Sequence, residues 1–256
     1  MLEIALAAAR AGAQILRQAG LKPRIGRTKS GPGDYVTEID EASEAAVIEI
    51  LERETPEIPI LAEERGGVES TTMWVVDPLD GTANFIRGLP IFATSVALIS
   101  NGIPEVGVTI APWLNLEFAA QRGYGATRNG NLLPRLGQTD PAQALVVVDP
   151  PFRKKEELRP SYLKLLEASL SHFEDLRYTG SATLNLAWVA AGNLHGYAVR
   201  TLSGPWDSAA GAVMLAEVGG VITDWSGGAS WLSSGEVLAG SPAVHALLLE
   251  FATFQR

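Results

Sequence analysis

Apolar residues recur at helical spacing from residue 2 to residue 19, and Arg10, Gln14 and Arg17 fall on one polar face of that stretch. The spacing predicts a helix. A Gly/Ser/Pro loop from Gly26 to Gly33 follows and carries Lys29. Thr37 then opens a second helix, with Asp40, Glu41 and Glu44 in its first turns, where negative charge favours the helix dipole. Beyond it the apolar pattern becomes that of strands. Residues 58–61 read as a short strand that delivers Glu63 and Glu64, and residues 74–76 as a buried one that delivers Asp77. Residues 92–100, 105–110 and 116–120 read as a meander, punctuated by Asn101-Gly102, Pro112 and Gly123. After Gly137 to Pro141, residues 145–148 are strand-like. Residues 162–172, 183–191, 206–218 and 243–254 are predicted helices, the third stopped by Gly219-Gly220. Long helices mixed with meandering strands predict an α+β or layered α/β fold.

Composition narrows the function classes. A chain of 256 residues, 46% apolar and 19% charged, makes one large domain or two small packed ones, not a disordered chain. Twenty Lys and Arg against 29 Asp and Glu leave a net charge of −9, so no direct nucleic-acid contact is expected. The absence of cysteine removes disulfides, thiolate zinc sites and Cys nucleophiles, and fits a reducing cytoplasm. Glu3 and Arg10 interrupt the first apolar stretch, which therefore does not read as a signal peptide. Nowhere do about twenty uninterrupted apolar residues occur, so no membrane span is expected.

The candidate chemistry lies in Asp77-Pro78-Leu79-Asp80-Gly81-Thr82. Two carboxylates leave the end of a strand, and a Gly-Thr pair then offers approachable N–H groups at a turn. Carboxylate oxygens suit Mg²⁺, and N–H groups at a turn suit phosphate oxygens. Glu63-Glu64 and Asp207 are further acids at element ends, where catalytic groups tend to sit. Each has a plainer reading when taken alone: a turn with Asx bonds for Asp77 and Asp80, a solvated charge run for Glu63-Glu64-Arg65, a helix N-cap for Asp207. Spacing excludes competing motifs. Two residues separate the aspartates, one too many for the phospho-aspartate phosphatases of the haloacid dehalogenase kind, and neither an EF-hand nor a P-loop pattern is present. His172, His195 and His245 lack zinc-ligand spacing.

Residues 74–85, Trp-Val-Val-Asp-Pro-Leu-Asp-Gly-Thr-Ala-Asn-Phe, resemble the first signature of the inositol monophosphatase family. Trp206-Asp207-Ser208-Ala209-Ala210-Gly211, continuing to Glu217-Val218-Gly219-Gly220, is similar to its second. Val36-Thr37-Glu38-Ile39-Asp40 and Glu63-Glu64 fall in order between comparable segments, so the likeness runs from the Lys29 loop to Gly228. The resemblance implies a layered αβαβα sandwich. Its first half would span residues 1–138 and carry most ligands, and its second, 139–256, would carry Asp207 and the substrate-side wall. It also implies a cytoplasmic, Li⁺-sensitive, Mg²⁺-dependent phosphomonoesterase, a homodimer acting on a small phosphate ester such as inositol 1-phosphate. Glu63, Asp77 and the Leu79 carbonyl would bind one Mg²⁺, and Asp77, Asp80 and Asp207 a second, with a third near Glu63; Mn²⁺ would substitute. The N–H groups of Gly81 and Thr82 would hold phosphate, and Gly180-Ser181-Ala182 would line the sugar side. Glu63 and the Thr82 hydroxyl would orient a metal-activated water, which fits a dianionic ester that repels hydroxide.

One position departs from the family pattern. Inositol-specific members carry an acidic residue several positions before the Trp-Asp, where this chain has Val199-Arg200-Thr201. A guanidinium there suits a second phosphate, so Arg200 is expected to bind substrate, the plainer reading being that it points to solvent or pairs with an acidic neighbour; fructose 1,6-bisphosphate or a 3′(2′),5′-bisphosphate nucleotide becomes the alternative substrate. Relatives that act as regulatory partners of the transcription machinery make a protein-binding role the alternative of another class.

Overall fold

The computed structural model describes residues 1–29 and 35–253; the Gly33 end of the expected loop and Phe254, the expected end of the last helix, lie outside them. Successive residues of a strand point to opposite faces, and Met73, Trp74, Val75 and Val76 are all buried. Their strand must therefore be covered on both sides.

In chain order the elements begin with α1 (Leu2–Ala19), the two-residue strands β1 (Arg27–Thr28) and β2 (Tyr35–Val36), and α2 (Glu38–Glu54). Next come β3 (Ile60–Ala62), β4 (Gly66–Gly67), β5 (Met73–Asp80) and the short α3 (Thr82–Phe85). A meander follows: β6 (Ala93–Ser100), β7 (Ile103–Ala111), β8 (Leu116–Gln121), β9 (Gly125–Arg128) and β10 (Asn131–Leu132). The remainder is β11 (Leu145–Val148), α4 (Lys155–His172), β12 (Asp175–Arg177), α5 (Ala182–Ala190) and β13 (Gly196–Val199). It ends with α6 (Ala209–Val218), β14 (Val221–Thr223), α7 (Trp231–Ser234), β15 (Val237–Gly240) and α8 (Pro242–Thr253).

Two sheets result. The larger has eight strands in the order β10-β9-β8-β7-β6-β5-β3-β4, antiparallel except where β3 runs beside β5. The smaller has five, β12-β11-β13-β15-β14, parallel around β11 and antiparallel beyond β13. On the outer face of the large sheet Trp74, Val76 and Val96 pack against Ala5, Ala9, Val47 and Leu51 of α1 and α2. Its inner face, through Val75 and Ala97, meets Leu184, Leu186, Ala210 and Val213 of α5 and α6. Those helices also cover Val147, Tyr197 and Ala239 of the small sheet, whose far face is closed by Leu165, Val244 and Leu248 of α4 and α8. The order of layers is αβαβα, as the resemblance implied. Glycine makes the central contact possible, because a Cβ on Gly107 would lie 2.6 Å from the Cα of Ala210.

Several elements differ from the sequence reading. Strand β5 runs on through Asp77 to Asp80, with a shift of register between the two aspartates instead of a simple strand end. Helix α4 starts at Lys155, seven residues early, despite Pro160 within it. Its first turns are a charged run without an apolar period, so only the buried Leu158 marked them. The segment 206–218 is not one helix: a 3₁₀ turn, Pro205–Asp207, precedes α6. Strands β12 to β15 were not foreseen, because they are three or four residues long and β13 and β15 are rich in Gly and Ala.

Candidate active site

Strand β3 ends one residue before Glu63, whose N–H continues the ladder by donating to the Val76 carbonyl at 3.0 Å. The next turn is held from below. The buried Glu44 of α2 accepts from the N–H groups of Glu64 and Arg65, both at 2.8 Å. Lys29 reaches in from its loop to Glu63 at 3.1 Å and to Glu64, and the two carboxylates raise its pKa despite burial that opposes it. Glu64 is itself pushed up to about 7, first by burial.

The aspartates of β5 are set by the irregular register between them. The Pro78 carbonyl accepts from Ser43 Oγ at 2.9 Å and Thr94 Oγ1 at 3.1 Å, which pins the bulge to α2 and β6. Asp77 turns back to accept its own Leu79 N–H at 3.0 Å. Asp80 points the other way along the chain's course, to the start of α5. It accepts from Ser181 Oγ and Thr183 Oγ1, each at 2.6 Å, from Thr183 N at 2.8 Å and from Ala182 N at 3.3 Å. A carboxylate from another part of the chain thus caps that helix, where orphan N–H groups and the dipole favour negative charge. Gly81 follows with φ +89° and a Cβ position only 2.8 Å from the Ile91 carbonyl, so only glycine fits this turn. The Thr82 hydroxyl lies 3.0 Å from both the Leu79 carbonyl and Asp40 Oδ1. Asp40, at the third position of α2, is fully buried and is held by Thr37 N at 2.8 Å and Thr37 Oγ1 at 2.6 Å.

Asp207 arrives from the other sheet's side, on the 3₁₀ turn, where its carboxylate accepts from Ser203 N at 2.5 Å and Gly204 N at 3.2 Å. The fold brings carboxylate oxygens of Asp77, Asp80 and Asp207 within 4.8 Å of one another. Glu63 stands near enough that its charge, after burial, raises the pKa of Asp77. Burial, then the negative charge of its neighbours, raises Asp77 well above the usual carboxylate range and Asp207 to about 8. Asp77 is 1% exposed and Asp207 8%. Four acids converge, and among the described residues the cation paired with them is Lys29, at Glu63, so the cluster repels itself without a counter-charge. A hard divalent cation fits this all-oxygen donor set.

These groups open onto a cleft of about 340 Å³, which Glu63, Asp77, Leu79, Asp80, Gly81, Thr82, Ala182 and Asp207 all border. Two expected substrate residues do not border it. Ser181 is buried behind Asp80, to which its hydroxyl donates. Arg200, expected to bind a second phosphate, is instead paired within the protein, as its plainer reading had it. Its Nε and Nη2 donate to Glu236 at 2.8 and 2.5 Å, its Nη1 to Ser161 Oγ at 3.1 Å, and it stacks 4.8 Å over Trp225. The guanidinium is neutralised by a partner 36 residues away in sequence. Asp40, Glu44, Asp149 and Tyr197 were missed as site residues. Only Asp40 carried a signal, the Thr37–Asp40 capping pair; the others needed the tertiary fold. The histidines bind backbone or hydroxyl groups, at Ala168, Leu145 and Thr223.

Comparison with known proteins extends the picture. A sequence model of the Inositol monophosphatase family matches residues 1–254. The chain is 38% identical over 248 residues to the Nus factor SuhB of Escherichia coli (strain K12), covering 95% of this chain and 92% of that one. It superposes on the extragenic suppressor protein suhB from Bartonella henselae with a TM-score of 0.91 and 30% identity, over 99% and 98% of the two chains. The inositol monophosphatase from Anabaena (Nostoc) sp. PCC 7120 gives 0.87 and 34%, over 99% and 95%.

Proposed function

The chain belongs to the inositol monophosphatase family, and from that premise we propose that it is a Mg²⁺-dependent phosphatase hydrolysing inositol 1-phosphate or a related sugar phosphate. The observation that carries this reading is the convergence of Asp77, Asp80 and Asp207, with Glu63 beside them, in an open cleft. Glu63, Asp77 and the Leu79 carbonyl would hold one ion, Asp77, Asp80 and Asp207 a second, and the neighbourhood of Glu63 a third, with Mn²⁺ an adequate replacement. Bound there, such ions supply the charge that a phosphate dianion requires and lower the pKa of water.

The chain's own groups do the rest. Glu63 and the Thr82 hydroxyl orient the attacking water in line with the ester bond. Asp40 limits where the Thr82 hydroxyl can point, since it accepts from that hydroxyl at 3.0 Å. The N–H groups of Gly81 and Thr82, at the start of a helical turn, face the phosphate oxygens. Gly180 and Ala182 border the space left for the alcohol. No residue need be phosphorylated. Asp80 has a second task, because it joins the metal cluster to α5 and so ties the two sheets' layers together at the site.

The test is turnover of inositol 1-phosphate by the purified protein in chelator, then with Mg²⁺, Mn²⁺ or added Li⁺. Activity is expected only with the divalent ions, with Li⁺ inhibiting. Full turnover in metal-free buffer would overturn the assignment. No helix among the described residues is long and apolar enough to cross a membrane, and the reading includes a cytoplasmic homodimer. The relatives' name, Nus factor SuhB, favours a second reading, in which the chain is a regulatory partner of the transcription machinery. A net charge of −9 suits a contact with protein better than one with nucleic acid. That role needs no metal cluster. A variant without Asp77 that keeps a regulatory effect would separate the two.

A further inference from the structure

Asp149 is the first residue past β11, and its N–H donates to the Ala198 carbonyl of β13 at 2.9 Å. The sheet ladder, and not a free loop, sets its backbone. The residue borders the same cleft as Asp77, Asp80 and Asp207 but stands outside that cluster. Oδ2 accepts from the hydroxyl of Tyr197 at 2.7 Å, and Tyr197 is fully buried within β13. A phenol has one proton to give, and this one is committed to Oδ2. Oδ1 is buried and has no hydrogen-bond partner among the described residues. An acceptor removed from water and left without a donor costs free energy, so such an atom beside an open cleft calls for a donor from the cleft.

We propose that Asp149 binds a hydroxyl of the substrate's alcohol portion, with Oδ1 as acceptor and Tyr197 holding the carboxylate in place. This rests on the phosphatase reading above and sharpens it. Burial raises Asp149 to about 7, so above that pH it is a carboxylate that accepts and does not donate, and a second phosphate offers acceptors and negative charge. The cleft therefore selects monophosphate esters of polyhydroxylated alcohols over bisphosphates. The paired Arg200 offers nothing to offset that choice.

The experiment compares two esters in Mg²⁺ at pH 8, where Asp149 is ionised: inositol 1-phosphate, rich in hydroxyls, and phenyl phosphate, which has none on its alcohol portion. Asp149→Asn keeps the shape, but its carbonyl is drawn to the Tyr197 proton and an N–H₂ donor is left for the cleft. For this variant KM for inositol 1-phosphate should rise about ten- to a hundredfold, with kcat within about threefold. Both constants for phenyl phosphate should stay within about twofold. Asp149→Ala, read the same way, supplies the answer if the amide variant does not fold. An equal loss on both esters would show that Asp149 serves the metal cluster or the fold, and no loss on either would place the alcohol elsewhere; each overturns the inference alone. A wild-type protein that hydrolyses neither ester overturns the phosphatase reading and this inference with it.

Discussion

The floor of the cleft and the pair behind its outer wall hold charge in opposite ways. On the floor, Asp77 accepts from the Leu79 N–H and otherwise meets Glu63, Asp80 and Asp207, all of its own sign. Behind the wall, Arg200 gives two hydrogen bonds to Glu236 and one to Ser161, and lies over Trp225. Both regions looked functional in the sequence, and both are charged groups near the cleft. The difference teaches which charge acts outward. A charge already neutralised and hydrogen-bonded holds the fold together, whereas buried charges of one sign at an opening require something from outside. Asp80 stands between the cases, joining the repelling cluster while taking four bonds from the start of α5.

The strongest way to break the contrast is to remove a charge from the floor. Asp77→Asn should reduce kcat by about a thousandfold or more, because on the proposed reading it would weaken the hold on two ions. Its melting temperature in chelator at pH 8 should nevertheless rise, since one repelling charge is gone. A near-normal rate would place the metal site elsewhere. The pH dependence of stability sharpens the same point. Asp207 titrates at about 8 and Glu64 at about 7, above the ordinary 3.8 and 4.5, chiefly through burial. The folded state then binds protons more tightly than the unfolded state between roughly pH 4 and pH 8, so stability falls as pH rises through that window. In chelator the melting temperature should be several degrees higher at pH 5 than at pH 8, and Mg²⁺ should flatten the slope. A melting temperature in chelator that rises with pH would contradict a self-repelling floor.

Smaller effects belong to groups that support the floor and to the wall. Glu44→Ala leaves the N–H groups of Glu64 and Arg65 without their buried acceptor, which should cost about 1–3 kcal/mol of stability by denaturant titration. Turnover should fall with it, as Glu63 loses its mooring. Arg200→Met should cost about 1–2 kcal/mol through the lost pair and stacking. It should leave kcat/KM for inositol 1-phosphate within about twofold. A large drop in kcat/KM for that variant would return Arg200 to the substrate's surroundings.

Local information settled much of the first half of the chain. The apolar period along residues 2–19, the Thr37–Asp40 cap and the apolar meander runs broken by turn residues are short-range patterns, and α1, α2 and β6 to β8 follow them closely. The motif from Asp77 to Thr82 is local as well, because its turn depends on Gly81 and its two aspartates are three residues apart. What lay beyond the sequence involves partners far apart in the chain. The small sheet's strands are too short and too rich in Gly and Ala to carry a period, and exist because their neighbours pair with them. Arg200 and Glu236 lie 36 residues apart, Asp149 and Tyr197 48, and Asp80 and the start of α5 about a hundred. Residue type and spacing determine what a side chain can donate, accept or carry. Whether that capacity is used up inside the protein or left for a ligand depends on which groups the packed layers bring beside it, and only the tertiary structure decides that.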